Sequence, residues 1–338
     1  MHEVPSKENR MLKKIFLFVG MLGCITAEMT GQQIPSYSQY MDNMFVINPG
    51  AAGAYGISVL NLSSRQQWLG IEGAPRTQSV SFQGRILKKG WLLKNTIGLF
   101  GDSKKYVGKT SGRVGMGGML FNDKIGLIRR TGFQYTYAYH VFIGMTQISF
   151  GLTGQLYQLK LDYDKAEVSS PNDPVLMGSG VRSLWIPDFN TGIHVTHKSF
   201  YGGISASSLA QSALALGNDR LQDYSLYRHY YLVAGYVFYT KKVFIEPSFM
   251  YRTTFRYGHL VDLSVRATFK NTFWVGSSVR TNGDIVGLAG IRFNDIYFGY
   301  AFDYSTTSFR FSTFGTHEIS ISYKMGSIER RFRWQERY

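Results

Sequence analysis

Along most of this chain, apolar and polar residues alternate one for one. Phe133, Tyr135, Tyr137, Tyr139 and Val141 are apolar, and Gln134, Thr136, Ala138 and His140 between them are small or polar. Val261, Leu263, Val265, Ala267 and Phe269 interleave with Asp262, Ser264, Arg266 and Thr268, and Ile319, Ile321, Tyr323 and Met325 with Glu318, Ser320, Ser322 and Lys324. A strand turns successive side chains to opposite faces, so each segment predicts a strand with one greasy and one wet face. A soluble sandwich would bury the greasy face and crowd the other with Lys and Glu. Here the wet face is mostly Ser, Thr, Gln and Gly with scattered Arg, and the greasy face is heavy in Tyr and Phe. That combination predicts an all-β fold, a transmembrane antiparallel up-and-down β-barrel with lipid outside and water inside.

The alternation divides into about fourteen strands. They run over 56–68, 76–86, 112–121, 130–141, 146–160, 188–198, 200–208, 228–240, 243–253, 259–270, 273–281, 284–293, 295–304 and 314–326. The connections supply an independent check, because outer-membrane barrels alternate long external loops with short periplasmic turns. The fourth connection (143–145), sixth (Ser199), eighth (241–242), tenth (271–272) and twelfth (294–295) are tight, and the fifth (161–187) and seventh (209–227) are the longest. The second connection, 87–111, breaks the parity, being long on the short side. If it adds a hairpin to the wall, the count becomes about sixteen.

The ends carry a different pattern. Lys13 and Lys14 precede the apolar run Ile15–Gly23, too short to span a bilayer, so residues 1–31 read as an export signal removed on secretion, with Met1 and Met11 both open as the start. Cys24, the only cysteine, lies at the end of this run; it is either a lipidation site or an ordinary residue of the signal, and the exported chain has no disulfide framework. Residues 32–55, with Pro35, Pro49 and the run Pro49–Gly53, are not a strand. The aromatics Tyr37, Tyr40 and Phe45 need burial, which places this segment as a plug-like element in or under the periplasmic mouth. The barrel then occupies 56–326 and a basic periplasmic tail 327–338.

The chain has 338 residues and a formal charge of +15. Removal of 1–31 takes four basic and three acidic residues and leaves +14. The basic residues are spread over strands and turns without a compact aromatic-basic patch, so the charge points to anionic lipid or an acidic partner and not to nucleic acid. Arg85, Glu246, Arg252, Asp262 and Arg266 fall on the wet faces of their strands, where a charge needs a partner or water; they line the lumen and pair across strands. Trp68 falls where the first strand leaves the membrane, the level of an aromatic girdle. The seven histidines form no ligand pattern, and Asp162 with Asp164 is at most a hint of calcium. No nucleophile–base order, phosphate loop or spaced carboxylate pair is present, so no catalytic residue, metal or cofactor is assigned.

Several motifs add to this. Pro35-Ser36-Tyr37-Ser38-Gln39-Tyr40-Met41-Asp42-Asn43 is followed by Ile47-Asn48-Pro49-Gly50-Ala51-Ala52-Gly53. Arg65-Gln66-Gln67-Trp68-Leu69-Gly70 is followed by Gly73-Ala74-Pro75-Arg76-Thr77. Phe121-Asn122-Asp123-Lys124, Tyr137-Ala138-Tyr139-His140, Pro247-Ser248-Phe249 and Thr316-His317-Glu318-Ile319 complete the set. From residue 34 to 326 this order resembles the PorP/SprF family of type IX secretion outer-membrane proteins of Bacteroidota. Pro49-Gly50 stands where the family usually has Pro-Ala, and the 87–111 connection is longer than usual. The resemblance implies a non-enzymatic barrel that assists export or surface retention of large cell-surface proteins, gliding adhesins among them, through their C-terminal signal domain. It also implies association with the periplasmic ring and peptidoglycan-linked components. Tyr37, Gln39, Tyr40, Asn48, Trp68, Arg85, Glu246, Arg252, Asp262 and Arg266 are the candidate lumen or partner residues. A diffusion porin or small-molecule transporter is the alternative. A phospholipase-like barrel is a third reading, but it needs a Ser–His pair near the girdle that the sequence does not place.

Overall fold

The protein is represented by a computed structural model, which describes residues 37–86, 112–162, 181–210, 227–240, 243–255, 258–270 and 272–325. Its strands are β1 (Ser58–Gln66), β2 (Arg76–Ile86), β3 (Val114–Ile125), β4 (Ile128–Ile143), β5 (Thr146–Asp162), β6 (Val181–Thr196), β7 (Phe200–Ser207), β8 (His229–Tyr236), β9 (Phe238–Tyr239), β10 (Val243–Thr253), β11 (His259–Phe269), β12 (Phe273–Arg280), β13 (Asp284–Phe293), β14 (Ile296–Ser305) and β15 (Thr316–Met325). Every neighbouring pair is antiparallel. The two-residue β9 continues β8 alongside β10, so the other fourteen strands form the wall. The ring closes where β1 pairs with β15, from Ser58 opposite Met325 to Gln66 opposite His317.

The alternation sorts the side chains as lipid outside demands. Phe133, Tyr135, Tyr137 and Tyr139 of β4 are exposed, while Gln134, Thr136, Ala138 and His140 between them are buried. Leu62, Val80, Leu152, Ile204, Leu263, Val279 and Ile319 continue the exposed apolar surface around the ring. A soluble protein cannot leave so continuous an apolar surface in water; a bilayer covers it. Tight turns close the end that holds both chain ends of the wall. At Gly144 and Asn294 the backbone takes the left-handed conformation that a two-residue hairpin needs, with φ 58° and 54°.

β2 pairs directly with β3, from Arg76 opposite Lys124 to Ile86 opposite Val114. No hairpin is inserted between them, so the sixteen-strand option is excluded; the connection 87–111 itself lies outside the described residues. The export signal, the tail 327–338, Asp164 and most of the fifth and seventh connections also lie outside them.

The interior differs from the hydrated bore that the alternation alone suggests. Residues 38–55 run inside the ring as a series of turns, with short 3-10 turns at Met44–Val46 and Pro49–Ala51. Tyr40, Met41, Met44, Phe45, Ala51 and Ala52 form the buried apolar core together with Met119, Phe121, Tyr157 and Met250 of the wall. The core therefore sits within the ring, supplied by a segment that the strand pattern does not mark.

Candidate functional site

The inward-facing side chains and the segment Tyr37–Gly56 bond to one another in three tiers. The first tier lies toward the end of the ring away from the chain ends. There Arg65 Nη2 meets Asp303 Oδ2 at 2.6 Å and Arg65 Nη1 meets Glu318 Oε2 at 3.0 Å. Arg280 binds Asp303 and Asp262, both at 2.8 Å. The hydroxyl of Ser38 sits at the centre: it accepts from Arg65 at 2.7 Å and Arg280 at 2.8 Å and donates to Asp303 at 2.8 Å. The backbone N–H groups of Ser38 and Gln39 donate to the Glu318 carboxylate at 2.7 and 3.2 Å. Asp262 also accepts from Ser264 at 2.6 Å and from Ser278. All five charged groups are buried, and such a cluster is tolerable only because each has opposite charges and donors around it.

The second tier is half-way down. The Tyr40 hydroxyl lies 3.0 Å from Ser248 Oγ and 3.4 Å from Ser264 Oγ. Burial pushes that phenol up to about 12, so it is a neutral hydrogen-bonding group at physiological pH. Arg266 bridges Glu246 at 2.6 Å and Asp42 at 2.8 Å, and the Tyr201 hydroxyl donates to Glu246 at 2.9 Å. Asn43 donates to Ser81 at 2.9 Å and Asn61 at 3.3 Å.

The third tier lies toward the end where β1 begins. The Asn48 amide donates to the carbonyls of Ile193 and Ile204 at 2.9 and 3.3 Å, and its oxygen accepts from Gly50 N–H at 2.9 Å, capping the turn that Pro49 opens. Arg85 donates to the carbonyls of Gly53 and Ala54 and to Gln147 at 3.0, 2.9 and 2.7 Å. Wall glycines let the segment this close. A Cβ at Gly151 would stand 2.1 Å from the Pro49 carbonyl carbon, and one at Gly115 would stand 2.1 Å from the Ala52 oxygen.

The residues singled out in the sequence distribute as follows. Tyr37, Gln39, Tyr40 and Asn48 lie on the interior segment, and Arg85, Glu246, Arg252, Asp262 and Arg266 face inward from the wall. Glu246 and Arg266 meet directly; Asp262 meets Arg280 instead; Arg85 meets backbone carbonyls and an amide; Arg252 hydrogen-bonds Tyr231. Trp68 stands apart on the turn after β1, with φ 48° and its N–H on Thr316 Oγ1 at 3.2 Å. The residues not singled out are Ser38, Asp42, Arg65, Arg280 and Asp303, and Glu318 in its ionic role. Parity places all but the two on the segment on the wet face. The pairing itself needs the register of strands far apart in sequence, which one chain's pattern does not contain.

Among the described residues, no group of three or more His, Cys, Asp or Glu side chains could hold a metal ion.

A model of the family described as type IX secretion system membrane protein PorP/SprF matches residues 29–323. No curated protein matches the chain. Among solved structures, similar ones include the Acinetobacter baumannii outer membrane protein Omp33, at 8% identity over 80% of this chain and 98% of that one with a TM-score of 0.43. A Pseudomonas aeruginosa FadL homologue is 10% identical over 88% and 96%, with a TM-score of 0.44. The CymD monoaromatic hydrocarbon channel is 13% identical over 88% and 95%, with a TM-score of 0.47.

Proposed function

The chain belongs to the PorP/SprF family of type IX secretion system membrane proteins, and on that premise we propose that it binds the C-terminal domain of a secreted, adhesin-like surface protein and couples it to periplasmic ring or anchoring components. It is an outer-membrane barrel of the type IX secretion machinery, and the family is one of secretion-system barrels and not of enzymes.

The observation that carries the finer reading is the filled interior. A diffusion pore needs a water-lined bore. Here inward polar side chains at three levels, from one end of the ring toward the other, are bonded to residues 38–55. With its inside so occupied, the barrel serves as a membrane-embedded platform: the interior segment acts as a plug, and partners dock at the rims. Trp68, on the turn after β1, belongs to the external rim in this reading, and the periplasmic components meet the end at which β1 starts and β15 finishes.

Two measurements test this. In planar bilayers the purified full chain is expected to show no steady open pore. Affinity capture from native membranes is expected to recover a large polypeptide with a type IX C-terminal signal domain together with periplasmic ring components. A stable conductance without any partner, joined to capture of neither class, would replace this reading with the porin.

A further inference from the structure

Beside the interior segment the ring leaves a space lined by described residues of the wall. It lies against Val46 and Ile47 of the segment and against strands β2 to β8 and β10, toward the end away from the chain ends, and has a cavity volume of about 90 Å³. That is several times the roughly 10–15 Å³ that one water needs, so the space admits a small ligand. We propose that this chamber is a binding site for a small amphipathic carboxylate, with Arg130 and Arg252 as the anion-binding groups.

The wall has two parts. One is apolar: Met119, Phe121 and Met250 with Val46 and Ile47 offer a surface for a hydrocarbon or aromatic body. The other is cationic, since among the described residues Arg130 and Arg252 are the charged groups of the lining and no carboxylate lines it. Neither arginine is neutralised as Arg65, Arg266 and Arg280 are, or supplied with three acceptors as Arg85 is. Arg65, Arg266 and Arg280 each hold carboxylates within 3.0 Å. Arg252 has a hydrogen bond with Tyr231, and Arg280 and Arg65 add like charge to its surroundings. Arg130 lies with its guanidinium carbon 4.9 Å from the Tyr157 ring centroid, and its Nε is buried without a hydrogen-bond partner. Asp123 stands opposite Arg130 in register and offsets part of its charge, but its Oδ1 accepts from Thr77 at 2.6 Å and it makes no ion pair with the arginine. A surplus cation therefore remains in a shielded space.

A half-buried cation without an anion is a costly arrangement that a bound anion relieves. A guanidinium presents a planar fork that fits a carboxylate in two parallel hydrogen bonds. The carboxylate can belong to a free acid or to the end of a peptide chain; both present one charged head on an apolar body. The inference does not depend on the secretion role proposed above.

The test is equilibrium dialysis of the full chain in lipid nanodiscs, with phenylacetate and its uncharged amide, phenylacetamide, as probes. Phenylacetate is expected to bind, and phenylacetamide to bind at least about tenfold more weakly. Arg252→Gln and Arg130→Gln are each expected to weaken phenylacetate about tenfold, with Arg252→Lys in between because it keeps the charge and loses the fork. Heat-modifiable gel migration checks that each variant is folded. Gly-Gly-Phe with a free C-terminus, compared with its C-terminal amide, separates the sources: tighter binding than phenylacetate assigns the site to a chain end, weaker binding to a free acid. Equal binding of phenylacetate and phenylacetamide, or undiminished binding in both glutamine variants, would overturn the proposal.

Discussion

The close approach of the interior segment to the wall is open to a one-carbon test. In Gly151→Ala the added Cβ would stand 2.1 Å from the carbonyl carbon of Pro49, 2.3 Å from the nitrogen of Gly50 and 2.4 Å from the Pro49 oxygen. All three are backbone atoms, so no side-chain rotation relieves the contact. Ordinary contact begins at 3.4 Å, so the Pro49–Gly50 backbone must retreat by about 1.3 Å. The Asn48 bonds to the wall start at 2.9 and 3.3 Å, and a retreat of that size takes both beyond hydrogen-bond reach. At about 1 kcal/mol each, their loss makes local opening cheaper by about 2 kcal/mol, or roughly 30-fold in population. Native-state hydrogen exchange reads this directly, because the N–H groups of Ala51, Ala52 and Ala54 are tied into turns of the same segment at 2.9, 3.1 and 3.0 Å. Their exchange is expected to speed up by that factor or more. Gly154→Ala, on the same strand, meets nothing within 4 Å and is expected to leave exchange unchanged. Wild-type exchange at Ala51, Ala52 and Ala54 in Gly151→Ala, or an equal acceleration in Gly154→Ala, would refute the argument.

Four further substitutions address the wall and its rim. Arg280→Gln leaves Asp262 and Asp303 each short of a buried cation; a loss of about 3–5 kcal/mol is expected, read as a drop in the temperature at which the folded band converts on heated gels. Arg266→Gln, whose ion pairs are about 15% exposed, is expected to lower that temperature by less. Leu152→Arg sets a charge on the lipid face of β5 at a position 56% exposed, at a cost of about 2–4 kcal/mol near mid-membrane, and is expected to cut the folded fraction in bilayer refolding. Trp68→Ala is expected to weaken assembly more than cargo capture; intact heat-modifiable migration with abolished capture would reverse that assignment.

Most of the wall was legible because its strands obey a period of two on a surface that must be apolar on one side throughout. Three of them, 76–86, 243–253 and 284–293, end where the alternation ends. β5 and β6 run further than their sequence suggests, to Asp162 and from Val181, because the two pair with each other beyond the point where the alternation fades. The direction of Arg85 or Asp262 followed from parity alone. Partners did not: Asp262 meets Arg280 and not the nearby Arg266, because direct neighbours in the register are Asp262 and Arg280. The occupied interior was the least legible feature. Ser, Thr and Gln look the same whether they bond water or a neighbouring chain segment, and the aromatics of residues 37–45 point to a plug-like segment at the periplasmic mouth without disclosing that its bonds run on to the far end of the ring.

The seam between the first and last strands also bears on how the molecule is made. Ser38 and Gln39 hold Glu318 of the closing strand and Asp303 of its neighbour, while Arg65 of the opening strand reaches both of those acids. The polypeptide that precedes the cylinder thus grips both lips of the join. A chain that closed around an empty middle would keep its wall-to-wall ion pairs but leave Glu318 and Asp303 without the donors that Ser38 and Gln39 bring to that joint.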